Sequence, residues 1–304
     1  MTAQPKIIVN RAGNIVDAAF TKIAGKLLFF SYLRPFSYWD NYYGEHAEIT
    51  NDFFRLLHYP TIQEHDDKGN IARKVTALGI DGLFPATYFS TSDALKSAGA
   101  HEKIWFIKPT YSTSGKGIQC LTHEELKTFE LPRSHIIQEQ VTNIELMNER
   151  KYTARAYVFV FNNKVYLYDD GFVMIHGVPY APNATDSLTQ VEHSGYADAD
   201  GAVKMMRMSE LPHFSKKTEK LKKAIQTLKP VIANFIEASS ATEYGLLGID
   251  LLFDKNHKPT LIEINAKANF VHTDVINDSL NAPFFSAVLN TLYTNQTDPR
   301  LTEI

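Results

Sequence analysis

An aspartate, a glutamate and an asparagine lie on two apolar stretches, Gly248-Ile249-Asp250-Leu251-Leu252-Phe253 and Thr260-Leu261-Ile262-Glu263-Ile264-Asn265. Both stretches have the branched and aromatic content of strands, and Asp254-Lys255-Asn256-His257-Lys258-Pro259 supplies turn chemistry between them. A symmetric hairpin sets Asp250 opposite Glu263, with Asn265, two residues on, pointing from the same face. Opposed carboxylates with Cβ atoms about 5 Å apart repel one another unless a cation lies between them. Two carboxylates and an amide carbonyl converging on one point form a hard oxygen site suited to magnesium, which commonly bridges carboxylates and nucleotide phosphates. The same residues also fit two strand-end acids in solvent. A metal reading therefore requires a phosphate-binding partner elsewhere in the chain.

The first half holds a candidate. Trp105-Phe106-Ile107-Lys108-Pro109 reads as a short strand, and Thr110-Tyr111-Ser112-Thr113-Ser114-Gly115-Lys116-Gly117 follows as a basic, amide-rich loop before the chain turns apolar at Ile118. Successive backbone N–H groups in such a loop can wrap phosphate oxygens, with Gly115 and Gly117 permitting close approach and Lys108 and Lys116 supplying charge. The spacing is not that of a P-loop, and a Gly-Lys-Gly alone also suits an ordinary hairpin turn. Further on, residues 151–161 and 164–169 flank Asn162-Asn163, a pair that tolerates positive φ and so predicts a tight hairpin. Period-two alternation puts Lys151, Thr153 and Arg155 on one strand face and Ala154, Ala156, Val158 and Val160 on the other, in the core. Two cations and a hydroxyl on one sheet face fit a triphosphate site or ordinary exposed charges.

In order and spacing these pieces resemble an ATP-grasp ligase, and within that superfamily the tubulin-tyrosine-ligase-like family. The resemblance runs from Ile71-Ala72-Arg73-Lys74 and Phe84-Pro85-Ala86-Thr87-Tyr88 through the lysine strand and glycine loop to Lys151-Tyr152-Thr153-Ala154-Arg155. It continues through Tyr166-Leu167-Tyr168-Asp169-Asp170-Gly171-Phe172 and His193 to Gly248-Ile249-Asp250 and Glu263-Ile264-Asn265. It implies an α/β (α+β) ATP-grasp fold: two α+β lobes clasping ATP, preceded by a small N-terminal α/β lobe. The corresponding divisions are 1–62, 63–135 with the glycine-rich loop, and 136–304 with the hinge and metal site.

The implied reaction is ADP-forming ligation of a carboxylate to an amine, with ATP and Mg2+ bound. By the resemblance, Asp250, Glu263 and Asn265 hold metal, and Lys151, Arg155 and His193 are catalytic. Lys74, Lys108, Ser114, Gly115, Lys116, Gly117, Ile118, Thr153 and the hinge residues Gln138, Glu139, Gln140 and Val141 contact ATP, as do Lys151 and Arg155. The chain departs from the family at Ser194-Gly195-Tyr196, which follows His193 where Leu-Thr-Asn is usual, and at Thr153, where Asp is usual. Asp169 and Met174 stand where arginines are typical, and a thioether cannot replace a charged bidentate donor for an incoming amino acid's carboxylate. The partners expected are ATP, an amino acid or peptide or protein carboxylate, and an amine acceptor. A small-molecule ligase and an ATP-binding protein without turnover are the alternatives.

The elements that would position these residues follow from pattern. With 304 residues, 44% of them hydrophobic, the chain can bury a sizeable core. Its 31 basic and 34 acidic residues are spread along it, so no nucleic-acid patch is expected. The lone Cys120 excludes an intramolecular disulfide and, in an apolar strand, reads as a small buried hydrophobe, which suits a reducing cytoplasm. Lys6-Ile7-Ile8-Val9-Asn10 reads as an opening strand, Arg11-Ala12-Gly13 as a turn, and residues 17–33 as a core-facing helix rather than a membrane span. A helix is expected from Lys68 to Leu78 ending at Gly79, and a capping box at Thr122-His123-Glu124-Glu125. Ile136 to Val141 reads as a strand leading into the C-terminal lobe. The cluster Lys216, Lys217, Lys220, Lys222 and Lys223 is expected to form the solvated face of a helix whose apolar face holds Leu221, Ile225, Leu228, Ile232 and Phe235.

Overall fold

The longest apolar alternations in the sequence become the longest strands of a computed structural model. It describes residues 7–9, 29–30, 53–57, 59–80, 82–97, 99, 101, 103–112, 115–191, 202–266, 268–270 and 272–304. Strands β1 (Ile7–Val9), β2 (Phe29–Phe30) and β3 (Phe53–Leu56) are followed by helices α1 (Tyr59–Asp66) and α2 (Lys68–Ala77). Next come β4 (Thr87–Tyr88), α3 (Thr91–Leu95), β5 (Trp105–Pro109), β6 (Gln119–Leu121), α4 (His123–Lys127) and β7 (His135–Glu139). The rest comprises β8 (Tyr152–Phe161), β9 (Lys164–Ile175), α5 (Ser187–Gln190), β10 (Lys204–Arg207), α6 (Phe214–Leu228), α7 (Ala233–Glu237), β11 (Glu243–Phe253) and β12 (Pro259–Asn265). A short helix α8 (Asp274–Ile276), a π-turn, helix α9 (Ala282–Thr294) and β13 (Leu301–Glu303) complete it.

The strands form two sheets. In the larger, the order is β10-β9-β8-β11-β3-β1-β2, with β12 also on β11 and β13 on β9. Its β8–β11 region is antiparallel, while β1, β2 and β3 run parallel to one another and β3 joins β11 in parallel. The smaller sheet, β4-β7-β5-β6, is wholly antiparallel. Alternation along β8 explains its double burial. Ala154, Ala156, Val158 and Val160 pack beneath α6 and α7, against Leu221, Ile225, Leu228 and Phe235. Tyr157, Phe159 and Phe161 pack on the opposite side with Phe284, Phe285, Val288 and Leu292 of α9. In the small sheet Trp105, Ile107 and Ile137 meet Ala94 and Leu126 on one side. The intervening residues Phe106, Lys108 and Gln138 are thereby directed at the cleft between the sheets.

Local signals hold closely. Asp67 caps α2 by accepting from the Asn70 N–H, Leu78 closes the helix, and Gly79 follows at φ +62°. Thr122 and Glu125 form the reciprocal capping box of α4. Asn162 and Asn163 both have positive φ in the β8–β9 hairpin.

Four expectations are corrected. Phe29 and Phe30, expected in a helix over 17–33, form β2 alongside β1; the run Leu27-Leu28-Phe29-Phe30 satisfies a buried strand as well as a helix. The remainder of that helix and the turn at 11–13 lie outside the described residues. Strand β7 ends at Glu139 rather than Val141 and is an inner strand of the small sheet, paired on both edges. Lys217 does not belong to a solvated face: only 1% exposed, it donates to Glu145 Oε1 at 3.0 Å and the Pro212 carbonyl at 2.5 Å. The long amphipathic helix also breaks around Pro230, into α6 and α7.

Candidate active site

A cleft of about 440 Å³ lies between the two sheets. The β11–β12 hairpin contributes its metal candidates. Asp250 does pair with Glu263, and Gly248 with Asn265, but not through the symmetric turn expected. Phe253 pairs with Pro259, and a β-bulge between Asp250 and Leu251 absorbs Ile262 as an extra residue. Ile262 and Glu263 consequently both face the cleft, while Leu261 and Ile264 on either side stay in the core.

Each carboxylate has a protein cation. Arg155 grips Asp250 bidentately, Nε to Oδ1 at 2.6 Å and Nη2 to Oδ2 at 2.8 Å. The pairing follows from register, since Arg155 is the β8 partner of Asp250. Burial opposes the guanidinium's charge, but the Asp250 carboxylate outweighs it, so Arg155 is held protonated beyond its ordinary range. Asn265 Nδ2 donates to Asp250 Oδ2 at 3.0 Å. Glu263 Oε1 lies 2.9 Å from Lys68 Nζ.

The candidate phosphate-side lysines come from both sheets, Lys108 from β5 of the smaller and Lys151 from the residue leading into β8 of the larger. Lys108 Nζ donates to Gln138 Oε1 at 2.5 Å, and Lys151 Nζ to the Gln190 carbonyl at 2.7 Å. Both ammonium groups lie over the Phe106 ring, at 5.7 and 5.4 Å. Among the described residues neither has a carboxylate within ion-pair distance, and burial lowers the pKa of each to about 8. Gly115 borders the cleft at φ +67°, and Gly117, at φ +76°, sits where a Cβ would come 3.0 Å from Pro109 Cγ.

At the hinge, Gln138, Glu139, Gln140 and Val141 all line the cleft. Gln140 is anchored by donating to the Pro182 carbonyl at 2.6 Å, and Glu139 by Lys103 at 2.7 Å. Ile118, Thr153 and Met174 also reach it, the last two facing each other across the β8–β9 ladder.

The signature of the tubulin-tyrosine ligase family matches residues 56–300, and all of these cleft residues fall inside that span. The chain belongs to the tubulin-tyrosine ligase family. Tubulin polyglutamylase ttll-4 of Caenorhabditis briggsae is 28% identical to it over 213 residues, 60% of this chain and 35% of that protein. Tubulin polyglutamylase TTLL7 of Homo sapiens is 24% identical over 275 residues, 74% of this chain and 30% of that protein. Tubulin glycylase 3B of Tetrahymena thermophila is 23% identical over 218 residues, 63% of this chain and 18% of that protein. The chain thus spans 18–35% of the length of these relatives.

Not every residue that the family resemblance nominated is brought together. Lys74 pairs with Glu64 and does not line this cleft. Lys116 is exposed, and Gly117 lies outside the lining. Ser114 and His193 lie outside the described residues. Asp169, expected from the resemblance to stand at an arginine position, is exposed on an irregular part of β9.

Two residues escaped the sequence reading. His272 lines the cleft, packs on Phe172 at 4.5 Å, and accepts at Nδ1 from Asn281 Nδ2 at 3.0 Å, with burial lowering its pKa to about 3. That contact leaves the neutral ring's proton on Nε2. Lys68 is the other, and it carried a signal: a lysine in a helix's first turn opposes the macrodipole, so an interaction outside the helix must hold it. Among the described residues no helix is long and apolar enough to cross a membrane.

Proposed function

We propose that this chain is an ATP-dependent, ADP-forming carboxylate–amine ligase that makes an amide bond through an acylphosphate. One observation carries the reading: one cleft gathers two phosphate-side lysines, an Arg–Asp clamp and the Glu–Asn pair from elements far apart in sequence. Lys108, Lys151 and Arg155 are the groups for phosphate oxygens, and the hinge residues 138–141 face the base.

The donor set fits magnesium. Asp250 and Glu263 face each other across the β11–β12 pair, and magnesium is commonly held by one or two carboxylates plus nucleotide phosphates. Asp250, Glu263 and Asn265 are the oxygen donors in reach, and their present partners are cations and an amide that a metal–nucleotide complex can displace. Bound there, the metal neutralises charge on the phosphates.

Carboxylates do not react with amines at neutral pH. In the first step a carboxylate oxygen bonds to the γ-phosphorus as the bond to the ADP oxygen breaks. In the second, the amine nitrogen attacks the acyl carbon, phosphate leaves with the C–O bonding pair, and the nitrogen loses a proton. The protein's task is in-line positioning and charge neutralisation. The relatives carry the names of tubulin polyglutamylases and a glycylase, which favours an amino acid joined to a protein or peptide carboxylate. Met174 favours a second reading, a small-molecule or amino-acid ligase, because its thioether lines the cleft where an arginine would grip an incoming carboxylate.

Incubation with ATP, magnesium and pools of amino acids and peptides, following ADP and product mass, tests the proposal. Acceptor-dependent ADP with a product heavier by one amide linkage supports it. No acceptor-dependent ADP across a broad panel contradicts it and favours a nucleotide-binding protein without turnover.

A further inference from the structure

Behind the nucleotide cleft is a second chamber of about 400 Å³, walled largely by apolar residues such as Ile71, Val75, Phe84 and Ile264. Glu263 faces both spaces; Lys68 faces only the rear one. Lys68 therefore reaches Glu263 from the side away from the nucleotide. Its side chain is 8% exposed, against 25% for Glu263, and its Nζ also donates to the Ser112 carbonyl at 3.1 Å. The Lys68 N–H donates to the Thr110 carbonyl at 3.1 Å, and a Cβ on Gly69 would come 3.1 Å from Thr110 Cγ2, so the start of α2 is pressed against the phosphate loop.

Charge accounting gives this contact a consequence. The three carboxylates lining the cleft, Asp250, Glu263 and Glu139, are matched by Arg155, Lys68 and Lys103, and the cleft adds Lys108 and Lys151, which have no carboxylate within ion-pair distance among the described residues. Such a site repels a bare divalent cation and attracts a polyanion carrying one.

We infer that Lys68 is a positioning residue that holds Glu263 from behind, so that the site takes its divalent metal only together with the nucleotide. The inference rests on the proposed nucleotide reading and assigns Lys68 a part in it. With the metal–nucleotide complex bound, phosphate charge is present to satisfy the cations, and Glu263 can serve the metal while Lys68 remains on Ser112.

Mn2+ binding followed by electron paramagnetic resonance, with and without a non-hydrolysable ATP analogue, tests this without turnover. Wild type is expected to bind Mn2+ with the analogue and weakly without it. Lys68→Met should raise affinity for bare Mn2+ by about tenfold to a hundredfold, the range by which one neighbouring charge biases a carboxylate. Lys68→Arg should restore wild-type behaviour, and adding Glu263→Gln to Lys68→Met should abolish the gain. Circular dichroism establishes that each variant is folded, and the arginine variant serves if the methionine variant is not, since it keeps the charge and must keep bare Mn2+ out. A folded Lys68→Met no better at binding bare Mn2+, or a wild type or Lys68→Arg that binds it as tightly alone as with the analogue, overturns the inference. No Mn2+ binding even with the analogue overturns the metal assignment itself and the inference with it.

Discussion

Lys108 and Lys151 hold their protons weakly because burial penalises the charge, and phosphate oxygens placed beside them reverse that penalty. Nucleotide binding should thus take up protons above about pH 8, and affinity should fall as pH rises through that value. Calorimetry in buffers of different ionisation enthalpy reads the uptake; no uptake between pH 8 and 9 would remove these lysines from the phosphate site. For folding the sign differs. The unfolded chain keeps these protons to about pH 10, so between about pH 8 and 10 the pair makes stability rise with pH. Glu263→Gln, nearly isosteric, should cost at least about a hundredfold in turnover, the scale of losing one preorganised electrostatic group, with the fold intact. Steady-state ADP release measures it, and undiminished turnover would refute the metal role. At this scale the shared face of Lys151 and Arg155, and of Glu263 and Asn265, was legible from period-two alternation, and Lys108 from its place at a strand end before the glycine loop, whereas alternation fails at the bulge that sets Asp250 opposite Glu263. Lys68 and His272 were not legible, since their roles depend on which distant strand they meet.

Strand register does much of the positioning. The absorbed Ile262 lets Asp250 and Glu263 face each other although their hairpin is asymmetric, so the expected pairing was reached by an unexpected route. Hairpin length can be read from turn residues; a bulge within a uniformly apolar strand leaves no such mark. A second irregularity lies in β9 opposite Ala156 and Val158, where Gly171 lets the backbone pass close to β8. A Cβ there would come 2.2 Å from the Arg155 carbonyl oxygen. Gly171→Ala should therefore destabilise the protein by about 1–3 kcal/mol, as overpacked core sites do, and weaken nucleotide binding through displacement of Arg155. Urea unfolding checks the first effect, and a midpoint unchanged from wild type would contradict it. Helix α6 shows the opposite limit of legibility: its apolar face was clear, but Lys217 is buried because Glu145, from a distant segment, meets it. Lys217→Ala should cost about 3–5 kcal/mol by removing the lysine partner of that part-buried carboxylate, read in the same unfolding experiment; a loss below 1 kcal/mol would mean the pair is dispensable.

At the level of the whole molecule, the small sheet offers Lys108 and the hinge, the large sheet offers Lys151, Arg155 and the β11–β12 hairpin, and the cleft exists only where the two meet. The order of motifs anticipated that meeting, because each is a short strand-bound signal whose neighbours survive in sequence. The lobe boundaries were less legible, since β7 leads toward the larger sheet in sequence while pairing on both edges in the smaller one. The central claim is that this meeting makes an acylphosphate, and oxygen transfer reports that directly. Peptides and amino acids labelled with 18O in their carboxylates, turned over with ATP and magnesium, should release phosphate carrying one 18O per amide formed. Amide formation with unlabelled phosphate, or no turnover with any labelled acid, would contradict the account.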